Sequence, residues 1–190
     1  MQNLFSGIKA SYGEPHRYYH TSTHVEHCLR QFDLAHDEIK NDADAIELAL
    51  WFHDVEYDPI AADNELKSAD RFKRVALGNM SPDLIAQIYR LIMITIHNDP
   101  PQAEDEKYVA DIDLSGFGLP WQEFIKDNQN VRNELPGLTD REFAEKNGRF
   151  LKQLLDRPSI YSSDFYKERY ERTARENMKK QVALLNDCKN

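Results

Sequence analysis

Apolar residues recur along this chain at three- and four-residue intervals, while strict apolar–polar alternation is almost absent, so the pattern predicts an all-α protein. Thr23 with Glu26 has the form of a capping box, opening a helix whose apolar stripe runs through Val25, Cys28, Leu29 and Phe32. His24 then falls in the first turn, and His20 in the irregular approach to it. Asp44 with Glu47 repeats the capping pattern, and Ile46, Ala49, Leu50 and His53 share the face of the helix that follows, which turns His53 inward. A third helix is predicted over 62–76, ending near Gly78. Ser81, Pro82 and Asp83 supply an N-cap, a first-turn proline and a dipole-matched acid for a helix with Ile85, Ile88, Ile92 and Ile96 inward. That helix delivers His97 at its end, just before Asn98-Asp99-Pro100-Pro101 stops it.

Further along, the segment 108–119 reads as short and mixed, closed by Gly116 and Gly118, and a helix is predicted over 121–132. Thr139 and Glu142 cap the next helix, with Phe143, Phe150 and Leu154 inward, and Pro158 punctuates before a long helix from about 164 to 185. The stretch 99–106, rich in prolines and acids, is expected to be a mobile loop. No internal repeat or low-complexity linker divides the chain, and 190 residues suit a single domain with one core.

Charge narrows the classes of partner. Lys and Arg number 24 against 33 Asp and Glu, a net charge of -9 that repels nucleic-acid polymers and anionic membrane surfaces at long range. A small anionic substrate stays compatible, because a bound divalent cation dominates its local field. Cys28 and Cys188 form no disulfide framework and no paired-cysteine metal motif, which points to a reduced, cytoplasmic chain and away from a thiolate metal site. The first residues lack a basic region followed by an apolar stretch, and no apolar run approaches a membrane span, so a soluble, unexported chain is expected.

Candidate chemistry concentrates in three stretches: Tyr19-His20-Thr21-Ser22-Thr23-His24, Leu50-Trp51-Phe52-His53-Asp54-Val55 and Asp111-Ile112-Asp113-Leu114-Ser115. Imidazole nitrogen and carboxylate oxygen both suit zinc, manganese or iron. An inward His53 followed by Asp54 puts two ligand-type groups at one buried spot, where an unpaired carboxylate is costly and a metal removes the cost. His24, near a helix N-terminus, is expected to be neutral, the ligating form of imidazole. Asp113 and Asp111 compete on residue type alone. His16, His27 and His36 have no special context and read as surface residues, and Tyr89, Tyr166 and Tyr170 read as packing.

The order His, then His-Asp, then Asp on successive helices resembles the HD-domain superfamily of metal-dependent phosphohydrolases. The whole chain is similar to a small bacterial group of predicted HD phosphohydrolases, through Arg17-Tyr18-Tyr19-His20-Thr21-Ser22-Thr23-His24, Phe52-His53-Asp54-Val55-Glu56-Tyr57-Asp58-Pro59, Asp63-Asn64-Glu65-Leu66-Lys67-Ser68-Ala69, Asp111-Ile112-Asp113-Leu114 and the tail from Ile160 to Asn177. The resemblance implies an HD-type helical bundle whose metal is held by His24, His53, Asp54 and a late aspartate. The first stretch also resembles cyclic-nucleotide phosphodiesterases, whose pattern makes His20 a general acid and places the last ligand directly before Leu-Ser, which favours Asp113 over Asp111. Tyr57 stands where two-metal HD enzymes and guanosine-tetraphosphate hydrolases carry a histidine or a glutamate, so one metal is expected rather than two, although Asp58 matches the acid that follows that glutamate.

The expected activity is hydrolysis of a phosphoester or phosphoanhydride in a nucleotide or other small phosphorylated metabolite by metal-activated water. Manganese, zinc, iron, cobalt and nickel all suit the ligands, and magnesium is also compatible. His20 would protonate the leaving oxygen, Glu65 would orient water, and Arg17, Lys67 and His97 would contact substrate. A homodimer is left open. Two rival readings stand beside this one: an HD-fold di-iron oxygenase that recruits His20 and His97, and a non-catalytic nucleotide-binding protein with a structural metal.

Overall fold

A computed structural model describes residues 2–40 and 42–187, with side chains described from 7 to 186 apart from 41. Cys188 and Met1 therefore lie outside the described residues. Among those described there is no strand, as the apolar periodicity requires. The helices are α1 (Gln2–Ser11), α2 (Ser22–Ala35), α3 (Ala43–Phe52), α4 (Asn64–Ala76), α5 (Pro82–Met93), α6 (Glu104–Leu114), α7 (Trp121–Asn133), α8 (Asp140–Leu155) and α9 (Asp164–Asp187). None is long and apolar enough to cross a membrane.

The caps explain most boundaries and correct some expectations. Thr21, not Thr23, caps α2, accepting the Thr23 amide at 3.3 Å, so no Thr23–Glu26 box forms. His24 still falls in the first turn. Helix α3 begins at Ala43 after Asp42, whose backbone is left-handed at φ 63° and whose side chain makes no capping bond; Asp44 is a first-turn acid rather than the cap. Ser81 caps α5 with Pro82 behind it, and Thr139 and Glu142 close a capping box on α8. Gly78, at φ 80°, makes the left-handed turn out of α4 that a Cβ would strain.

The least legible region is the one before and through α6. The stretch 99–106 is not a loop to its end, because Glu104, Asp105 and Glu106 form a first helical turn where acids meet the positive end of the dipole. Glu106 accepts the Gln102 and Ala103 amides at 2.7 and 3.0 Å, and Arg90 of α5 bridges Asp105 and Glu106. The segment 108–119 is likewise the body of α6 followed by a 3₁₀ turn, Ser115–Gly118. The α5 helix stops at Met93 and continues as a 3₁₀ turn, Ile94–Ile96, so Ile96 is only half-buried.

The core places α3 against α2, α5 and α6, with α4 on α5 and α8 on α9. Ile46, Ala49 and Leu50 of α3 are fully buried, as are Ile88, Leu91 and Ile92 of α5. Burial of this kind contributes about 25 cal/mol per Å² of apolar surface and drives the packing. Helix α9 presses on the 3₁₀ turn after α6: a Cβ at Gly118 would meet Tyr170 Cβ at 2.5 Å, so only glycine permits the approach. Asn177 of α9 donates to the Phe117 and Leu119 carbonyls at 2.9 and 2.8 Å, and the Tyr161 hydroxyl to the Leu114 carbonyl at 3.0 Å. These bonds fix the end of α6, from which Asp113 projects.

Candidate metal centre and its cavity

Three helices bring four ligand-type side chains to one buried spot. His24 sits in the first turn of α2, His53 ends α3 and Asp54 follows it, and Asp113 lies in the last turn of α6. His24 Nε2 lies 3.1 Å from His53 Nε2 and 3.1 Å from Asp113 Oδ1. Asp54 Oδ2 lies 3.0 Å from His53 Nε2 and 3.6 Å from His24 Nε2, and Asp113 Oδ1 lies 3.5 Å from His53 Nε2. The His53 Nδ1–H donates to the Leu50 carbonyl at 2.9 Å, the bond of a helix end, which directs the other ring nitrogen at the cluster.

The donor set fits a divalent ion. Ligand atoms held at about 2.0–2.2 Å from one ion lie about 3 Å or slightly more from each other, the spacing found here. Two imidazole nitrogens and two carboxylates meet at a buried spot, where carboxylate charge is costly unless a proton on an imidazole or a cation offsets it. Burial alone would raise the Asp54 and Asp113 pKa values and lower that of His53. The mutual attraction of these groups outweighs burial, holding both carboxylates well below their ordinary range and His53 well above its own.

Cys28 corrects the expectation that no cysteine is near. It lies one turn along α2 from His24, fully buried, with Sγ 3.7 Å from His24 Nε2. His24, Cys28, His53 and Asp113 together form a group able to hold a metal ion. Burial, reinforced by Asp113 and Asp54, pushes the thiol pKa up, so without an ion Cys28 stays protonated. The spacing of four between His24 and Cys28 on a helix was the signal for it.

Asp111 and Asp113 part company. Asp111 is buried and accepts the Ser162 and Ser163 amides at 2.8 and 2.7 Å and the Ser163 hydroxyl at 2.7 Å, which ties α6 to the start of α9. Burial pushes its pKa up to about 6 against the pull of those donors. His97, left-handed at φ 58°, places Nε2 2.8 Å from Asp113 Oδ2. It thus reaches the cluster through Asp113.

His20 is held beside the cluster by a residue that sequence reading missed. Glu134, the residue that follows α7 at its C-terminus and 2 % exposed, accepts the Tyr18, Tyr19 and His20 amides at 2.8, 2.7 and 2.9 Å through one oxygen. Its other oxygen lies 2.7 Å from His20 Nδ1 and 2.8 Å from the Tyr57 hydroxyl. Tyr57 stacks on His20, ring centroids 4.1 Å apart. Burial works to lower the His20 pKa, but the Asp54 field and the Glu134 bond outweigh it and raise it. Burial would raise the Glu134 pKa, yet His20 and the amides bring it down to about 2.

The remaining expected site residues divide. Glu65 faces the cavity, half-buried, its pKa raised by burial and then by Asp54 and Asp113. Arg17 does not face it. Its guanidinium donates to the Asp54, Val55 and His20 carbonyls at 2.6, 3.1 and 3.2 Å and to Glu14 at 2.9 Å, between the rings of Tyr12 and Tyr57. With its donors used, Arg17 clamps the His20 segment to the Asp54 turn rather than holding phosphate. Lys67 is exposed, pairs with Asp63 at 2.6 Å and forms no part of the cavity wall. Asp58 is an exposed turn residue, accepting the Ile60 amide at 3.1 Å. His27 is not a plain surface residue: it is half-buried against Ser115 Oγ at 2.8 Å, and burial lowers its pKa to about 4.

The cluster opens on a cavity of about 270 Å³. His20, His24, Asp54, Glu65, His97 and Asp113 line one part of it, and residues of α7, α8 and the Ser115–Gly118 turn line another. Comparison of the chain with protein-family models, with curated proteins and with solved structures finds no match.

Proposed function

We propose that the chain is an HD-type, metal-dependent phosphohydrolase acting on a phosphoester or phosphoanhydride of a nucleotide or other small metabolite. The observation that carries this reading is the convergence of His24 Nε2 and His53 Nε2, 3.1 Å apart and each 3.0–3.6 Å from Asp54 Oδ2 and from Asp113 Oδ1, at a cavity that His20 also lines. The order of these residues along the chain and the all-helical fold support reading residues 1–190 as a single HD-type domain acting on a small substrate.

His24, His53, Asp54 and Asp113 would hold a divalent ion there, which would supply Lewis acidity toward water and the phosphoryl oxygens. His20, its pKa raised and its ring oriented through Nδ1 by Glu134, gives a proton to the leaving oxygen as its bond to phosphorus breaks. Water adds its hydroxyl to phosphorus, and its remaining proton replaces the one His20 gave up. Glu65, facing the cavity with a raised pKa, accepts or relays a proton from that water.

Metal analysis of the purified chain, then a phosphate-release screen with each divalent ion, tests the reading. Bound metal, phosphate release, and loss of both in His53→Ala with helical content retained are expected. Bound iron with oxygen consumption and no phosphate release would transfer the site to the oxygenase reading, in which His97 becomes a further ligand. Bound metal with neither activity would leave a binding protein.

A further inference from the structure

The part of the cavity wall away from the ligand cluster has a different chemistry. Phe117 packs against Phe124 and Phe150 with ring centroids 6.0 and 6.2 Å apart, and these rings face the cavity with Val131. Among them stand two linked amides: Asn147 Nδ2 donates to Asn128 Oδ1 at 3.0 Å, and Asn128 Nδ2 to the Phe124 carbonyl at 3.2 Å. The Asn147 carbonyl oxygen and one N–H of each amide have no partner among the described residues.

Beside the rings, Gly116 leaves a gap. A Cβ there would stand 3.7 Å from the Tyr19 hydroxyl and 4.0 Å from Asp127 Oδ2. Asp127 is half-buried and makes no hydrogen bond or ion pair among the described residues. No lysine or arginine is among the residues described as lining this cavity. Phosphate charge inside it is therefore met only at the ligand cluster and His20.

We propose, resting on the hydrolase reading, that the cavity selects a phosphate monoester whose organic group is a flat, uncharged ring system with hydrogen-bonding edges, and disfavours the matching di- and triphosphates. The phenyl rings offer faces for stacking, and the amides and Tyr19 offer donors and acceptors for ring edges and hydroxyls. A second or third phosphate kept within this cavity would lie against Asp127 and the rings with no Lys or Arg in its wall to neutralise it, and a poorly compensated charge in a partly buried site is unfavourable. The product is the free alcohol and inorganic phosphate, the water hydroxyl having replaced the ester oxygen on phosphorus.

A second cavity, also of about 270 Å³, shares Tyr19, His24, Gly116 and Asp127 with the first and carries the exposed cations Arg30 and Lys126. It is where a longer phosphate chain would have to go if the selectivity ran the other way. That gives the test a clear opposite outcome.

The test is calorimetric binding of adenosine and its 5′-mono-, di- and triphosphates to the manganese-loaded full chain, with phosphate release measured in parallel. Monophosphate is expected to bind at least about tenfold tighter than triphosphate, and Asp127→Asn to narrow that ratio by up to about tenfold, the scale of one partly screened charge a ring's length away. Free adenosine is expected to bind, and Asn147→Leu to abolish its binding while manganese stays. Triphosphate binding as tightly as monophosphate, with the affinity lost in Lys126→Ala, would overturn the proposal. Selective binding without any phosphate release would sink the hydrolase reading instead, leaving the ring-binding wall in place.

Discussion

Two faces of α6 carry the same residue type to opposite ends of the molecule's economy. Asp111 and Asp113 stand about 200° apart around the helix. The first turns to the start of α9, where amide and hydroxyl donors saturate it; the second turns to α2 and α3, where its partners are imidazole nitrogens. An acid satisfied by N–H and O–H donors is a fastening. An acid whose neighbours are imidazole nitrogens belongs instead to a group able to hold a metal ion.

Asp113→Ala is expected to produce the largest effect. Metal occupancy should be lost, and phosphate release should fall by at least about a thousandfold, the scale of several kcal/mol of transition-state charge stabilisation. Circular dichroism should show the helices intact. Stoichiometric metal in this variant, measured after dialysis, would remove Asp113 from the ligand set.

For Asp111→Ala the consequences are reversed. Three buried donors at the head of α9 lose their acceptor, which should cost about 2–4 kcal/mol in urea denaturation, while metal binding persists. A variant of unchanged stability that lost its metal would erase the distinction between the two faces. Residue type and spacing left this pair open in the sequence, since both acids precede Gly116 at plausible turn positions. Only the resemblance of Asp113-Leu114-Ser115 to a known ligand pattern separated them.

Elsewhere, legibility followed whether a residue's role was local. Helix phase turned His53 inward, and Ser81-Pro82-Asp83 and Thr139–Glu142 announced their helices, because those determinants lie within one turn. Helix α6 was obscured because prolines and acids look like a loop, although acids in a first turn stabilise a helix. Arg17 looked like a phosphate ligand because a cation in a motif says nothing of the two tyrosines and three carbonyls that consume it. Glu134 was invisible: it reaches His20 across 114 positions of sequence.

That long reach makes Glu134→Gln the test of how the cluster is joined to its acid. Glutamine keeps the size and an acceptor for the three amides but loses the charge opposite His20. Turnover is expected to fall about a hundredfold, the usual worth of a positioned general acid, with metal content unchanged. Glu134 raises the His20 pKa, so its neutralisation should move the alkaline limb of the rate profile to lower pH. Stability has its own sign. A carboxylate whose pKa falls from 4.5 to about 2 on folding contributes stability above pH 4.5 that is lost as pH falls toward 2, so the wild-type advantage over Glu134→Gln should shrink over that interval. An unshifted alkaline limb would leave Glu134 as a backbone fastening, on the same footing as Asp111.

Lys67→Ala should do least. Its ammonium pairs with Asp63 at the surface, one helical turn away, where solvent and salt screen the attraction. With Lys67 outside the cavity wall, neither kcat nor KM should change measurably. The contrast with Arg17 is instructive, since both cations sit in motif-like segments and neither is free to hold phosphate, one being spent in the interior and the other stranded in solvent. A rise in KM for Lys67→Ala at constant kcat would mean that substrate extends past Glu65 along α4, and the cavity would then have a cation after all.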